Sequence, residues 1–312
     1  MIKKSLLPEH FEQYNARHSL FTHDDKILLT VSGGVDSMVM LALFAEAGYN
    51  IGVAHCNFCL RGEESDQDEA TVEAVAKGYN VPFYNKRFDT KGEMERTGES
   101  MEMAARRLRY EWFEQLSAEH GYTAIAIAHH VDDSIETFFI NLFRGTGLRG
   151  LTGITRQRGN IIRPLLFAER KEILEYAVLH KVPYREDSSN RTKKYLRNKI
   201  RLGLLPMVRE INSRFTSMMR GNLYRLADAQ RFIEAGITKI KEQILESNDG
   251  IDRIHTELIE PHFPKEFVIY EILNSMYGFK GDTVDELYKA LLSGAPGKRF
   301  YARGHVACID SA

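Results

Sequence analysis

Ser32-Gly33-Gly34-Val35-Asp36-Ser37 stands directly between the strand-like run KILLTV (Lys26–Val31) and the helix-forming MVMLALFAEAG. A strand that must become a helix within six residues leaves a chain few options. Two adjacent glycines permit a tight turn and remove the Cβ atoms that would keep a ligand off the backbone. The first N–H groups of the helix lack intrahelical partners and face the turn together with the Ser32 and Ser37 hydroxyls. Such a turn is an anion site, and phosphate suits it. No Lys follows as in G-x-x-x-x-G-K-[ST], so this is not the ordinary P-loop. Asp36 would repel a phosphate unless Mg²⁺ lay between them. The plainer alternative is a glycine turn in which Asp36 only complements the helix dipole.

The surrounding pattern places this turn in an α/β fold. Ile51–His55, Val81–Phe88 and Ala124–His129 also read as strands, and Ser37–Ala47, about Ser65–Lys77 and Met101–His120 read as helices. Strands alternating with helices predict a parallel sheet covered on both faces. Ligands of such sheets bind at the carboxyl ends of the strands, here the loops after Val31, His55 and His129. Beyond Pro206 the chain reads differently: helical from Arg209 to about Leu245, a break at Asn248-Asp249-Gly250, helices at Phe267–Met276 and Val284–Leu292, and a hairpin-like alternation over Lys298–Ile309. The expected organisation is a catalytic domain over 1–208, a helical linker over 209–247 and a small α/β accessory domain over 248–312. A length of 312 residues agrees with about two domains.

The net charge of −1 conceals a segregation. From Arg144 to Arg231 there are 20 Lys and Arg against 7 Asp and Glu, and the rest of the chain carries 22 basic and 36 acidic residues. Such a segment suits a polyanionic partner, although solvated helix faces give similar charge runs. Three cysteines make no disulfide framework, no apolar run approaches the ~18 residues of a membrane span, and Met1–Ser5 lacks the apolar core of a signal peptide. A cytoplasmic protein without a membrane partner is expected.

A second constellation follows the fourth strand: Ala128-His129-His130-Val131-Asp132-Asp133-Ser134-Ile135-Glu136-Thr137. Asp132 and Glu136 are four apart and share a helix face, with Asp133 beside them. Carboxylates beside a His at a strand's carboxyl end suit Mg²⁺ shared with nucleotide phosphates. An acidic first helical turn favoured by the macrodipole is the bland reading.

The S-G-G-x-D-S hexapeptide resembles the fingerprint of the ATP pyrophosphatases, the PP-loop enzymes, which cleave ATP between the α and β phosphates and adenylate an oxygen. With A-H-H-x-D-D-x-x-E-T the resemblance narrows to the tRNA(Ile)-lysidine synthase family. Further matches run in order over about residues 25–207: Ala54-His55-Cys56-Asn57 with Leu60-Arg61 and Ser65-Asp66, Ala105-Arg106 through Arg109-Tyr110, Asn141–Gly145, Gly147–Leu151, Arg163-Pro164-Leu165-Leu166, Glu186–Asn190, Arg197–Arg201 and Leu205-Pro206. Pro296–Phe300 is similar to the family's first accessory domain, and some members carry a second one. The sequence departs from the family at Phe58, where members often have a second His, followed here by Cys59.

The resemblance implies a PP-loop domain of the adenine-nucleotide α-hydrolase kind and ATP-dependent ligation of L-lysine to C2 of the wobble cytidine in the CAU anticodon of tRNA(Ile). The product, lysidine, changes codon reading from AUG to AUA. Ser32, Gly33, Gly34, Val35, Asp36 and Ser37 would bind ATP with His129, Glu136 and Arg106. Asp36, Asp132 and Asp133 would hold Mg²⁺, and these three with Arg109 would be catalytic. Arg191, Lys193, Lys194, Arg197 and Arg201 would track tRNA phosphates, and Tyr195 is either a base-stacking ring or ordinary packing. Two other readings stay open: a tRNA thiolase using Cys56 or Cys59 of the C-x-x-C, and a non-enzymatic tRNA-binding protein. A homodimer is also left open.

Overall fold

A computed structural model of the chain describes residues 5–60, 62–185, 196–260 and 263–310. They form two compact units, one up to Leu226 and one over residues 227–312.

The first unit opens with helix α1 (Leu7–His18), which leads into strand β1 (Ile27–Thr30), helix α2 (Val35–Glu46) and strand β2 (Ile51–Asn57). Helix α3 (Glu63–Gly78), strand β3 (Phe83–Arg87), helices α4 (Thr90–Thr97) and α5 (Met101–His120), and strand β4 (Ala124–Ile127) follow. Then come helix α6 (Val131–Arg144), a single turn α7 (Leu148–Leu151), short strands β5 (Gln157–Arg158) and β6 (Ile161–Ile162), and helix α8 (Arg170–Leu179). Past residue 195, α9 (Leu196–Lys199) widens into a π-turn at Ile200–Leu204 and continues as α10 (Leu205–Ile211) and α11 (Phe215–Ile244).

The sheet order is β3-β2-β1-β4-β6-β5, parallel except for β5 at the edge. The chain passes from β1 outward through β2 and β3, then returns to the other side of β1 as β4. The strand order therefore reverses between β1 and β4, and ligands of such folds bind outside the carboxyl ends of these two strands. Helix α2 is apolar nearly all round, and Met38, Val39, Met40 and Leu41 are fully buried. Such a helix belongs inside. Its Phe44 meets Phe11 of α1 at 5.0 Å and Phe21 at 4.8 Å between ring centroids. Gly52 of β2 is required by close approach, because a Cβ there would collide with the Tyr122 hydroxyl.

The parallel sheet and its helices agree with the sequence reading; some boundaries do not. β2 runs two residues past His55, since Cys56 and Asn57 go on pairing with Lys86 and Arg87. The helical stretch expected from Arg209 is interrupted at Asn212, which turns extended (φ −145°, ψ 105°) and accepts the Arg214 N–H at 3.0 Å.

The second unit has its own core, in which Ile240 and Ile244 join Val268, Ile269, Ile272, Phe279, Val284 and Phe300. Asp249 and Gly250 (φ 50° and 77°) form the two-residue turn of a hairpin, β7 (Leu245–Asn248) with β8 (Ile251–Ile254), where the sequence suggested only a break. Adjacent left-handed residues match the twist of paired strands, and Asp-Gly is built for this. A 3₁₀ turn (Thr256–Leu258), helices α12 (Lys265–Tyr277) and α13 (Gly281–Leu292), and the antiparallel hairpin of β9 (Arg299–Ala302) and β10 (His305–Cys308) complete it. Among the described residues no helix is long and apolar enough to cross a membrane.

Candidate active site at the sheet's switch point

The Ser32–Ser37 loop is held in shape by its own groups. Ser32 N–H donates to Ser37 Oγ at 3.1 Å, and the Ser37 hydroxyl donates to the Gly34 carbonyl at 3.0 Å. Gly33 has φ +92°, a conformation that favours glycine. Gly34 is the N-cap of α2 and offers no side-chain acceptor to the first turn. The helix start thus presents N–H groups at the carboxyl end of β1, as a phosphate site requires. Arg185 fastens the loop from outside: its N–H donates to the Gly33 carbonyl at 3.0 Å, and its guanidinium reaches Asp68 at 2.9 Å and Gln67 at 2.6 Å.

Helix α6 brings the second motif to the same edge. His130, at its N-cap, is 1% exposed, and three carboxylates surround its ring. Nε2 lies 3.7 Å from Asp36 and 3.4 Å from Asp133, and Nδ1 lies 3.6 Å from Asp132. Burial opposes a charge on this ring, but Asp133, Asp132 and Asp36 together outweigh it and push its pKa up to about 10. His130 is a cation at the centre of an acidic cluster.

The acids have further cationic partners. Asp36 Oδ2 accepts from Arg170 at 2.9 Å. Asp132 accepts the Arg170 backbone N–H at 2.8 Å and Arg209 at 2.5 Å. Burial raises its pKa, but His130, Arg170 and Arg209 hold it down to about 2. Asp133 caps the His130 N–H at 3.1 Å and meets Arg201 at 3.3 Å. Glu136, 1% exposed, is gripped by Arg201 at 2.6 and 3.0 Å, with Arg197 Nε at 3.6 Å.

His129 is the neutral counterpart. Arg163 Nε donates to its Nδ1 at 3.2 Å, so the ring proton resides on Nε2. Burial, opposed by Asp133 and reinforced by Arg163 and Arg197, pushes its pKa down to about 4. Two adjacent histidines thus differ in charge. His55, buried on β2, donates from Nδ1 to the Val31 carbonyl at 2.8 Å and braces the strand that feeds the loop.

Arg106 lies over the Tyr110 ring at 4.7 Å and Arg109 over the Phe58 ring at 5.2 Å. Phe58 stacks on Phe88 at 5.3 Å, so the position that departs from the family serves as the platform for Arg109. Burial pushes the Cys56 thiol up to about 12, which keeps it protonated, whereas Cys59 is exposed. A thiolate nucleophile at Cys56 is therefore disfavoured.

A bound Mg²⁺ takes few protein carboxylates and keeps waters and phosphate oxygens. Among the described residues, no three His, Cys, Asp or Glu gather as a metal-holding group. Of the expected Asp36–Asp132–Asp133 set, Asp132 and Asp133 are engaged by arginines and backbone N–H groups in this structure. Asp36 does fit: its Oδ1 is sealed from solvent and has no hydrogen-bond partner.

Arg201 was expected on a basic face, yet it lies within the acidic cluster, and Arg197 reaches Thr137 at 3.2 Å. Arg191, Lys193, Lys194 and Tyr195 lie outside the described residues, as do Arg61 and Glu186–Asn190. Sequence reasoning missed His130, Arg163, Arg170, Arg185 and Arg209 as site residues. His130 stood in the A-H-H-x-D-D motif; for the four arginines the available signal was the positive excess from Arg144 to Arg231, and part of that excess turns inward to balance these acids.

Residues 7–208 match the PP-loop domain family, and residues 246–312 match the TilS substrate binding domain. The chain is 40% identical over 291 residues to the tRNA(Ile)-lysidine synthase of Bacteroides thetaiotaomicron, covering 93% of this chain and 67% of that protein. It is 41% identical over 240 residues to the same-named protein of Chlorobaculum tepidum, covering 76% and 72% of the two chains. The chain spans about two thirds of the length of the curated relatives it matches. Among solved structures, the U34-tRNA thiolase NcsA of Methanococcus maripaludis with its [4Fe-4S] cluster shares the fold (TM-score 0.58, 18% identity, 72% of this chain and 81% of that one). On its matched domains and relatives, this chain belongs to the tRNA(Ile)-lysidine synthase family of PP-loop proteins.

Proposed function

We propose that this chain ligates L-lysine to the wobble cytidine of the CAU anticodon of tRNA(Ile) at the expense of ATP. The observation that carries the reading is the meeting of the Ser32–Ser37 loop with the His130-centred acids at one switch point, with Asp36 3.7 Å from His130. The C2 oxygen of the base attacks the α-phosphorus, and the bond to pyrophosphate breaks. The lysine ε-amine then attacks C2, loses a proton, and AMP leaves with the oxygen.

The N–H groups at the start of α2 and the Ser32 and Ser37 hydroxyls hold the departing pyrophosphate. His129, with its proton on Nε2, donates to an oxygen of the nucleotide or the base, and Arg106 and Arg109 offset phosphate charge as it develops. Glu136, held by Arg201 through two nitrogens, shapes the nucleotide end of the site. Asp36 would hold Mg²⁺, which would offset the negative charge of the ATP phosphates. The tRNA backbone runs along Arg191, Lys193, Lys194 and Arg197, with residues 248–312 as an accessory binding domain. An anticodon base must be splayed out for this chemistry, and a loop base leaves its stack at small cost.

Incubation with ATP labelled at the α-phosphate tests the reading. Labelled AMP should appear only when both the tRNA and lysine are supplied in excess of enzyme. Labelled ADP, or AMP release indifferent to lysine, would contradict it.

A further inference from the structure

The two oxygens of Asp36 have different surroundings. Oδ2 accepts from Arg170 Nη1 at 2.9 Å, whereas Oδ1 is sealed from solvent without a hydrogen-bond partner. Arg170 is anchored independently at its main chain. Its backbone N–H is pinned to Asp132 at 2.8 Å at the start of α8, and its side chain remains 40% exposed. The guanidinium can therefore leave Asp36 while its main chain stays in place.

We propose that Arg170 is a stand-in cation on Asp36, displaced when a divalent metal arrives and transferred to the phosphates of the nucleotide. The inference rests on the assignment of Mg²⁺ to Asp36. The single charge of His130, 3.7 Å from Asp36 Oδ1, is shared among three carboxylates, so Asp36 in this largely desolvated site requires a second positive partner in every state. A dication and a guanidinium on one carboxylate repel each other, so the more weakly held of the two departs. Asp132 is already engaged by Arg209 and by the Arg170 backbone N–H, so phosphates held at the Ser32–Ser37 loop are the anion left to receive the released guanidinium. Its planar fork suits phosphate oxygens bidentately. The exchange couples the two ligands: metal alone must evict Arg170 with nothing to receive it, and metal with ATP need not.

Mn²⁺ titrated into nucleotide-free protein and followed by electron paramagnetic resonance tests this directly. Arg170→Met should bind Mn²⁺ about tenfold more tightly than the parent, and at saturating Mg²⁺ it should bind a non-hydrolysable ATP analogue about tenfold more weakly, each a coupling of ordinary size. Arg209→Met removes the same charge from Asp132 instead and should leave Mn²⁺ binding within about twofold, which separates position from net charge. Arg170→Lys, which keeps the charge and guards against a folding defect, should fall between parent and Arg170→Met. Unchanged or weaker Mn²⁺ binding in Arg170→Met would overturn the proposal. If Asp36→Asn in the Arg170→Met background left Mn²⁺ binding intact, the assignment of the metal to Asp36 would fail, and the exchange with it.

Discussion

Arg201 holds Glu136 through two nitrogens, Nε at 2.6 Å from Oε1 and Nη2 at 3.0 Å from Oε2. Burial pushes the Glu136 pKa up, and Arg201 opposes that shift. Removing the arginine leaves a carboxylate that is 1% exposed, with Arg197 at 3.6 Å as the remaining cationic partner among the described residues. Breaking a buried pair from one side costs several kcal/mol. Arg201→Met should therefore lose about 2–4 kcal/mol in urea unfolding. Adding Glu136→Gln should recover part of that loss, since the two residues share one interaction. Additive losses in the double variant would show that they act independently.

The Arg163–His129 hydrogen bond makes a spectroscopic prediction. With Nδ1 accepting from Arg163, nitrogen NMR should show His129 as the Nε2–H tautomer, with no titration between about pH 5.5 and 8. Arg163→Leu should release the ring, which would then titrate closer to an ordinary histidine. A titrating His129 in the parent would contradict the assignment of a fixed neutral donor.

His130 predicts the opposite pH behaviour. Its folded-state pKa, pushed to about 10 by Asp133, Asp132 and Asp36 against burial, lies above the ordinary imidazole value of about 6.5. The stability it contributes is fully present below pH ~6.5 and is lost as the pH rises through about 10. The unfolding free-energy difference between the parent and His130→Gln should shrink by roughly 4 kcal/mol between pH 6.5 and 10. A constant difference would mean that His130 is neutral in the cluster.

The cysteines give a chemical test. Cys56 is half-buried with its thiol pushed up to about 12, whereas Cys59 and Cys308 are exposed. Iodoacetamide at pH 8 should label Cys59 and Cys308 at least tenfold faster than Cys56, since only the thiolate reacts. Rapid labelling of Cys56 would revive the sulfur-transfer reading that its C-x-x-C spacing suggested.

The phosphate loop and the acidic motif were legible because both depend on local chemistry. Gly33 at φ +92° and the acids at the start of α6 serve one turn each, and six to ten consecutive residues carry them. The parallel sheet followed from the alternation of short apolar runs with helical patterns. What lay hidden was long-range. Arg170 reaches Asp36 across 134 positions and Arg201 reaches Glu136 across 65, and no local pattern announces such partners. The basic segment therefore read as a nucleic-acid face, although several of its arginines neutralise the site. The hairpin at Asp249-Gly250 was missed for a different reason: Glu246, Ser247, Asn248, Ile251, Asp252 and Arg253 are exposed and lack the apolar alternation that marks a half-buried strand.

The central claim is a tRNA-directed transfer of lysine, and radiolabelled lysine tests it most directly. With ATP, Mg²⁺ and a tRNA(Ile) transcript bearing a CAU anticodon, acid-insoluble label should approach one lysine per tRNA. It should vanish when the wobble cytidine is replaced by uridine, or with Asp36→Ala. Label that enters both transcripts equally, or no label while pyrophosphate is still released, would contradict the account.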